Sequence, residues 1–524
     1  MEDILVTCFV YIPLGCILLL SILLVERYVQ YKKLCKKYEH LPGVTQFLPP
    51  HIAQFLPKWM LPDGIIDNPF EIFTPDTILR IIKENNSDYF KIIFGIANLS
   101  FVIGDCPELA KEFATKGAKV FRKTEFMDRS SKELFFGTNV FAEPDHHTWL
   151  KHRQLIDQSF SPSNLKLVAD VTNEVVEKDM IPAINSQLER RDVMVDMARL
   201  TMDVIGKAAF GYSLNSFHSK PGEVTLEQQG NIFMSYLDYL RVIPTKFLRS
   251  NLKIGAVGKL HFAVKSFTDV ISKIIEKRER SDDKDEAADI LSLLLKERKN
   301  NRDQSSGGIL TDEELVSNSF VLLVAGHDTT SRTLGYATYL LSKNPHIQQE
   351  LHDAVDKVVK ETGKDTFDFS DYESGRLDYV KAVFNEVLRL IPVAFGSFRD
   401  LTKNVEYNGT VFPKGAIFGI SFVHTLVNEK YWDEPLSFKP MRFIKDGKFI
   451  VPNSNPFVFT PFGVGGRICA GRYFSTVEGL CALAKLARTY SFKLSDPNYV
   501  VQHEMHITLK PKETLYVDFI PRQL

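Results

Sequence analysis

The chain has little cysteine. Cys8, Cys16, Cys35, Cys106, Cys469 and Cys481 are scattered over 524 residues, and no two form a C-x-x-C pair. That argues against a disulfide framework or a zinc ribbon and points to a reducing compartment. Net charge is almost absent as well. The 64 basic and 65 acidic residues leave −1, which makes no case for nucleic acid as a partner. Internal repeats and low-complexity blocks are missing. A dinucleotide fingerprint is missing too: Gly463-Val464-Gly465 begins like one, but Ile468 stands where the third glycine of G-x-G-x-x-G belongs. His146, His147 and His152 fit no standard metal-ligand spacing and read as surface or structural residues. Hydrophobic residues at 44% and charged residues at 25% are ordinary for a globular core.

A long apolar run is present at the N-terminus. Ile4 to Val25 is nearly free of charge, and as a helix it extends about 33 Å, enough to cross a bilayer core of roughly 30 Å. Glu2 and Asp3 precede it; Arg27, Lys32, Lys33, Lys36 and Lys37 follow. The positive-inside rule then places the rest of the chain on the cytosolic side. A cleaved signal peptide would carry its basic residues ahead of the apolar run. Residues 1–25 are therefore read as an uncleaved transmembrane anchor. Residues 26–62, with Leu41-Pro42-Gly43 and prolines at 49, 50, 57 and 62, read as a basic, proline-rich linker. Residues 63–524 read as one domain.

Two strands are predicted at Tyr89–Phe94 and Leu99–Ile103, with Asp105 as a helix cap ahead of Pro107. From there to about residue 390 the periodicity is helical. The charged stretches 282–289 and 296–303 read as a solvated helix and loop. Beyond Arg399 the texture turns to short β segments, with Asn408-Gly409 as a hairpin turn and Ala416–Phe422 as a buried strand. Ile507–Leu509 and Leu515–Val517 repeat it. The expected class is mainly α with small β-sheets.

Five stretches carry chemistry. The longest helical pattern runs from about Thr311 to Asn344, opened by a Thr311/Glu314 capping box and stopped by Pro345. In its middle, Ala325-Gly326-His327-Asp328-Thr329-Thr330 gathers poor helix formers. Either Gly326 opens a groove where a ligand meets the Thr329 hydroxyl, or the threonines bond back to carbonyls. Glu386 and Arg389 are i,i+3 neighbours on an amphipathic helix predicted over Arg376–Ile391. Arg442, in Pro440-Met441-Arg442-Phe443, follows 27 residues before Cys469. Trp149 and Arg153 form W-x-x-x-R. Last, Phe462-Gly463-Val464-Gly465-Gly466-Arg467-Ile468-Cys469-Ala470-Gly471 sets one cysteine in a glycine-rich loop with an arginine two residues before it. The bland reading is a tight turn around a small buried cysteine. The sharper one is a thiolate ligand with a guanidinium beside it for a carboxylate.

Phe462, Gly463, Gly465, Arg467, Cys469 and Gly471 match the cysteine-loop signature of the cytochrome P-450 superfamily, and the other motifs occur in that family's order. The whole chain resembles a haem-thiolate monooxygenase of microsomal type. The tail Leu388-Arg389-Leu390-Ile391-Pro392 looks like the group containing fatty-acid ω-hydroxylases and cholesterol 24-hydroxylase. The resemblance implies the cytochrome P-450 fold behind one N-terminal transmembrane helix, and haem b (iron protoporphyrin IX) with Cys469 as its metal ligand. Phe462, Gly471, Ala325 and Gly326 would lie against the cofactor, and Trp149, Arg153, Arg399 and Arg467 at its propionates. Asp328 and Thr329 would be the acid–alcohol pair delivering protons to dioxygen. Glu386, Arg389 and Arg442 would lock the core, although Met441 replaces the family's usual Glu. Ala325 stands where some ω-hydroxylases carry the Glu that esterifies haem, so haem is expected to be removable.

The resemblance also implies an NADPH-cytochrome reductase docking on the face around Arg467 and Arg472, with a small haem electron carrier as a further donor. It implies a single-pass endoplasmic reticulum membrane protein whose catalytic domain is cytosolic. Ala325, Thr329, Val393, Ala394 and Phe395, with the stretches Phe121–Phe141 and Phe233–Leu248, are the expected lining of a pocket for a sterol, fatty acid or xenobiotic. A peroxide-rearranging haem-thiolate enzyme and a non-catalytic haem- or lipid-binding protein are the alternatives.

Overall fold

The structure is a computed structural model, and it describes residues 12–47, 73–95, 99–134, 137–219, 225–236, 255–280, 289–302, 310–505 and 507–523. These form two compact units. One comprises the chain up to Arg122 together with Gly396–His424; the other comprises Lys123–Phe395 and Thr425–Leu524.

The first unit is built on a sheet of six strands. Its order is Gly43–Gln46, Tyr89–Phe94, Leu99–Gly104, Ile417–Ser421, Gly396–Leu401 and Phe121–Lys123, the last running into the second unit. The first pairing is parallel, as is that of Leu99–Gly104 with Ile417–Ser421; Tyr89–Phe94 pairs antiparallel with Leu99–Gly104. Phe90, Ile92, Val102, Ile103 and Phe418 are buried on it. Asp105 does not cap the next helix. That helix, Pro107–Val120, has Cys106 at its N-cap with no side-chain cap bond. Asp105 is buried instead, and its Oδ2 accepts from Ser421 Oγ at 2.7 Å and from His424 N at 2.8 Å. The Asn408-Gly409 hairpin joins Val405–Tyr407 to Thr410–Phe412.

Arg399, expected at a propionate, is buried in this unit. Its Nη1 donates to Ser397 Oγ at 2.8 Å and to the Phe398 carbonyl at 2.6 Å, and its guanidinium lies over the Phe113 ring. Within the expected linker, the N-terminal helix runs Ile12–Lys37, through the basic residues, and residues 43–46 enter the sheet. Tyr31 is buried against the unit, and Lys37 Nζ donates to the Lys414 carbonyl at 3.0 Å. Leu18, Leu19, Ile22, Leu23, Leu24 and Val25 on that helix are exposed. No helix among the described residues is long and apolar enough to cross a membrane. Positions 4–11 of the predicted span, and the linker prolines 49, 50, 57 and 62, lie outside the described residues.

The second unit is helical. Its longest helix is Asp312–Lys343, opened by the predicted capping box: Thr311 Oγ1 accepts from Glu314 N, and Glu314 Oε2 accepts from Thr311 N. Helix Val193–Phe210 packs against it at two glycines. A side chain at Gly326 would meet Ile205 Cδ1 at 2.3 Å, and one at Gly335 would meet Met194 Sδ at 2.4 Å. Absent side chains let the helices approach this closely. The charged stretch near 289 is less solvated than expected, because Asp289 is buried and pairs with Arg278. Small antiparallel ladders complete the unit. One is Tyr490–Leu494 with Tyr516–Pro521; another is His503–Met505 with Leu509–Pro511.

Candidate active site

The cysteine loop is a tight structure held by its own backbone. Gly463 and Gly465 have φ of 82° and 73°, a region that L side chains rarely adopt. Cys469 N donates to the Phe462 carbonyl at 2.9 Å, closing the loop around the short turn Gly465–Arg467. Helix Arg472–Thr489 starts three residues after the cysteine. Cys469 is exposed to solvent. Burial pushes the thiol up; the Gly471 N–H and the charges of Arg153 and Arg472 pull it the other way. A bound cation is what would hold such a sulfur as thiolate.

Beside it, Arg467 spans the indole of Trp149 at 4.4 Å and donates from Nη2 to the Glu143 carbonyl at 2.7 Å. Its Nη1 is buried and has no hydrogen-bond partner among the described residues. Burial pushes this guanidinium down to about 10, with Glu143 opposing and Arg153 adding to the shift. A buried guanidinium with an idle donor calls for an anion. Trp149 and Arg153 come from helix His146–Gln158, which Asp145 caps by accepting from Thr148 N at 2.8 Å. Arg153 Nε donates to both oxygens of Asp157 at 2.8 Å and Nη1 to the Ile468 carbonyl, so it fastens the loop. His152, on the same helix, is buried with Nε2 3.6 Å from Glu314 Oε1.

In the long helix, Val321, Leu322, Ala325 and Thr329 form an accessible stripe along an otherwise buried element. The bare Cα of Gly326 faces Ile205, so the packing of helix Val193–Phe210 requires glycine there. Thr329 Oγ1 donates to the Ala325 carbonyl at 2.9 Å, the back-bonded geometry. Asp328 is turned off the stripe: it is buried, with Oδ1 3.2 Å from Arg332 Nη2 and Oδ2 accepting from Thr508 Oγ1. His327 lies buried beside Thr201, with Nδ1 3.0 Å from its hydroxyl, and burial pushes it down to about 4.

Glu386, Arg389 and Arg442 meet. Arg389 forks onto Glu386 at 2.7 and 2.8 Å, and Arg442 Nε reaches Glu386 Oε1 at 3.0 Å. The pair 386/389 is fully buried, and its remaining donors are used: Arg389 reaches the carbonyls of Leu426, Pro435 and Ser437, and Arg442 that of Asp433. Lys439 N also donates to Glu386 at 2.9 Å.

The sequence profile of the cytochrome P450 family matches residues 75–517. The chain belongs to the cytochrome P450 family. It is similar to cytochrome P450 3A6 of Oryctolagus cuniculus, 30% identical over 375 residues that cover 70% of this chain and 72% of that protein. Cytochrome P450 3A7 of Homo sapiens is 29% identical over 379 residues, 68% and 70% of the two chains. Cytochrome P450 3A41 of Mus musculus is 27% identical over 386 residues, 72% and 74%. This P450 is therefore a haem-dependent monooxygenase, an oxidoreductase whose haem iron takes a cysteine thiolate. These relatives carry the 3A designation; the likeness to ω-hydroxylases and cholesterol 24-hydroxylase rests on residues 388–392 alone.

The donor set of the P450 loop fits haem. An accessible thiol and a buried guanidinium nitrogen without an acceptor stand two residues apart. Among the pocket candidates Ala325 and Ala394 are exposed and Thr329 half-buried, but the Val393 and Phe395 side chains are buried. Residues 237–248 of the stretch Phe233–Leu248 lie outside the described residues; Phe233 is buried against Phe320. The reading of the sequence missed the hairpin His503–Pro511. Leu509 N donates to the Val393 carbonyl at 2.8 Å, Ile507 is 40% exposed, and Thr508 reaches Asp328. Only alternation around Pro511 marked this segment, and nothing local indicated its partners.

Proposed function

We propose that this P450 is a membrane-anchored monooxygenase that oxidises a lipophilic molecule with electrons from an NADPH-cytochrome reductase. The observation that carries the haem site is the Cys469 thiol beside the idle, buried Nη1 of Arg467. Cys469 would bind the iron, Arg467 with Trp149 and Arg153 would take the propionates, and Phe462 and Gly471 would flank the loop. The haem, as haem b, would supply oxygen activation, favoured by electron donation from the thiolate. The chain's own residues bind, orient and exclude water. Glu386, Arg389 and Arg442 fix the loop's foundations. Asp328 would relay a proton, and Thr329 on the accessible stripe presents a hydroxyl to receive it. Ala325 has no carboxyl to esterify, so the haem would be removable.

The apolar run at 4–25 with its basic flank supports a single-pass anchor in the endoplasmic reticulum and a cytosolic catalytic domain from residue 63 on. Arg472 and its basic neighbours suit the acidic face of a reductase, or of a small haem electron carrier. Ala325, Ala394 and Ile507 suit an apolar substrate, a sterol, fatty acid or xenobiotic.

The test is spectral. Reduced protein with carbon monoxide is expected to give the red-shifted Soret band of thiolate ligation, and Cys469→Ser to abolish it. A Cys469→Ser protein that kept the band would end the assignment. Product formation that needs neither reductase nor NADPH would favour a peroxide-rearranging enzyme instead.

A further inference from the structure

Both oxygens of Asp328 are taken, and the two partners come from different places. Arg332 sits one turn along the same helix, 3.2 Å from Oδ1, and is itself held by Asn231 Oδ1 at 2.6 Å. Thr508, on Oδ2, comes from the hairpin His503–Pro511, and its side chain is 4% exposed. Two further bonds fasten that hairpin: His503 Nδ1 lies 3.1 Å from Tyr336 OH, and Leu509 N donates to the Val393 carbonyl. At its tip Ile507 is exposed, adjacent in sequence to Thr508 and two residues before Leu509, whose N–H is bonded to the Val393 carbonyl. A molecule pressing on Ile507 therefore pushes on the residue that holds Asp328. A buried carboxylate with two satisfied oxygens stays where it is; one that loses a donor must find another. Thr329, the next residue, lies on the accessible stripe that Asp328 faces away from.

We propose that Thr508 is a positioning residue for proton delivery: its hydroxyl keeps Asp328 in the Arg332 ion pair, and displacement of the hairpin tip by an apolar substrate frees the carboxylate to serve Thr329. The proposal rests on the reading of Asp328 and Thr329 as the proton-delivering pair. It assigns to a hairpin far along the chain the coupling of pocket occupancy to proton supply.

The test uses the full haem-loaded chain with reductase, comparing the parent with Thr508→Val, Thr508→Ser and Asp328→Asn. Thr508→Val keeps the shape and loses the hydroxyl. It is expected to raise NADPH oxidation without substrate by about 10-fold, the scale of one hydrogen bond to a charged group. Thr508→Ser is expected to restore the parent value, and adding Asp328→Asn to Thr508→Val to cancel the rise. In haem-free protein, hydrogen exchange at amides 507–509 is expected to be faster in Thr508→Val and parent-like in Thr508→Ser. If Thr508→Val loosens those amides but leaves substrate-free NADPH oxidation at the parent rate, Thr508 is only structural and the proposal is overturned. If Thr508→Val changes neither, it is overturned as well. If Asp328→Asn leaves product formation and its solvent isotope effect unchanged, the proton-pair reading fails, and this proposal with it. An impaired Asp328→Asn beside a parent-like Thr508→Val overturns the proposal alone.

Discussion

Glu478, on helix Arg472–Thr489, is fully buried, and neither carboxyl oxygen has a hydrogen-bond partner among the described residues. Burial pushes its pKa well above the ordinary 4.5, so the folded chain holds a proton there that the unfolded chain releases. A raised folded pKa gives stability that is complete below pH 4.5 and is lost as pH rises toward the folded value. Glu478→Gln removes that slope. It is expected to match the parent near pH 4 and to exceed it at pH 7 to 8, as measured by denaturant unfolding at each pH. His327 has the opposite sign: depressed to about 4, it withdraws stability as pH falls below its ordinary 6.5. Single residues were legible where their chemistry is local. Thr311 and Glu314 announce a capping box by spacing alone. Asp105 misled, because a short acid ahead of a proline looks like a cap whether or not it bonds to Ser421 and His424, more than 300 positions on.

At the scale of elements, the junction of helix Asp378–Leu390 with the turn Pro440–Phe443 carries the heaviest electrostatic demand. Two arginines and one glutamate share it with almost no water. Glu386→Gln leaves Arg389 buried without its counter-charge, and such a loss costs about 3–5 kcal/mol. The variant is expected to unfold at lower denaturant and to retain less haem. Replacing Glu386 and Arg389 together by apolar residues is expected to cost less than the two single losses summed, a non-additivity that a double-mutant cycle measures. Helices with strong periodicity and hairpins with Asn-Gly turns were readable, because both signals are local. The continuation of the first helix through Lys37 and the strand at 43–46 were not. Basic residues and prolines nearby read as a linker, and only pairing with Lys91 to Phe94 shows otherwise. Which packing contact calls for glycine at 326 was not readable, because sequence cannot say which neighbour needs the missing side chain. Ile205 does.

At the scale of the molecule, the first unit draws on the chain's beginning and on residues 396–424, a joining that periodicity cannot reveal because strand Leu99–Gly104 finds Ile417–Ser421 across most of the chain. Its N-terminal helix is docked from Tyr31 to Lys37 while positions 18–25 expose leucine, isoleucine and valine. Deleting residues 2–25 is expected to release the protein from membranes while keeping the thiolate-type carbon monoxide band. Pelleting of vesicles with and without the deletion measures this, and a truncated chain still sedimenting fully with lipid would place the membrane contact elsewhere. The cysteine loop has a consequence for how the molecule is assembled. Its sulfur, pushed up by burial, stands as a neutral thiol before any metal arrives. Binding of the sulfur as thiolate would release that proton, so the haem is expected to be held more tightly as the surroundings become more alkaline.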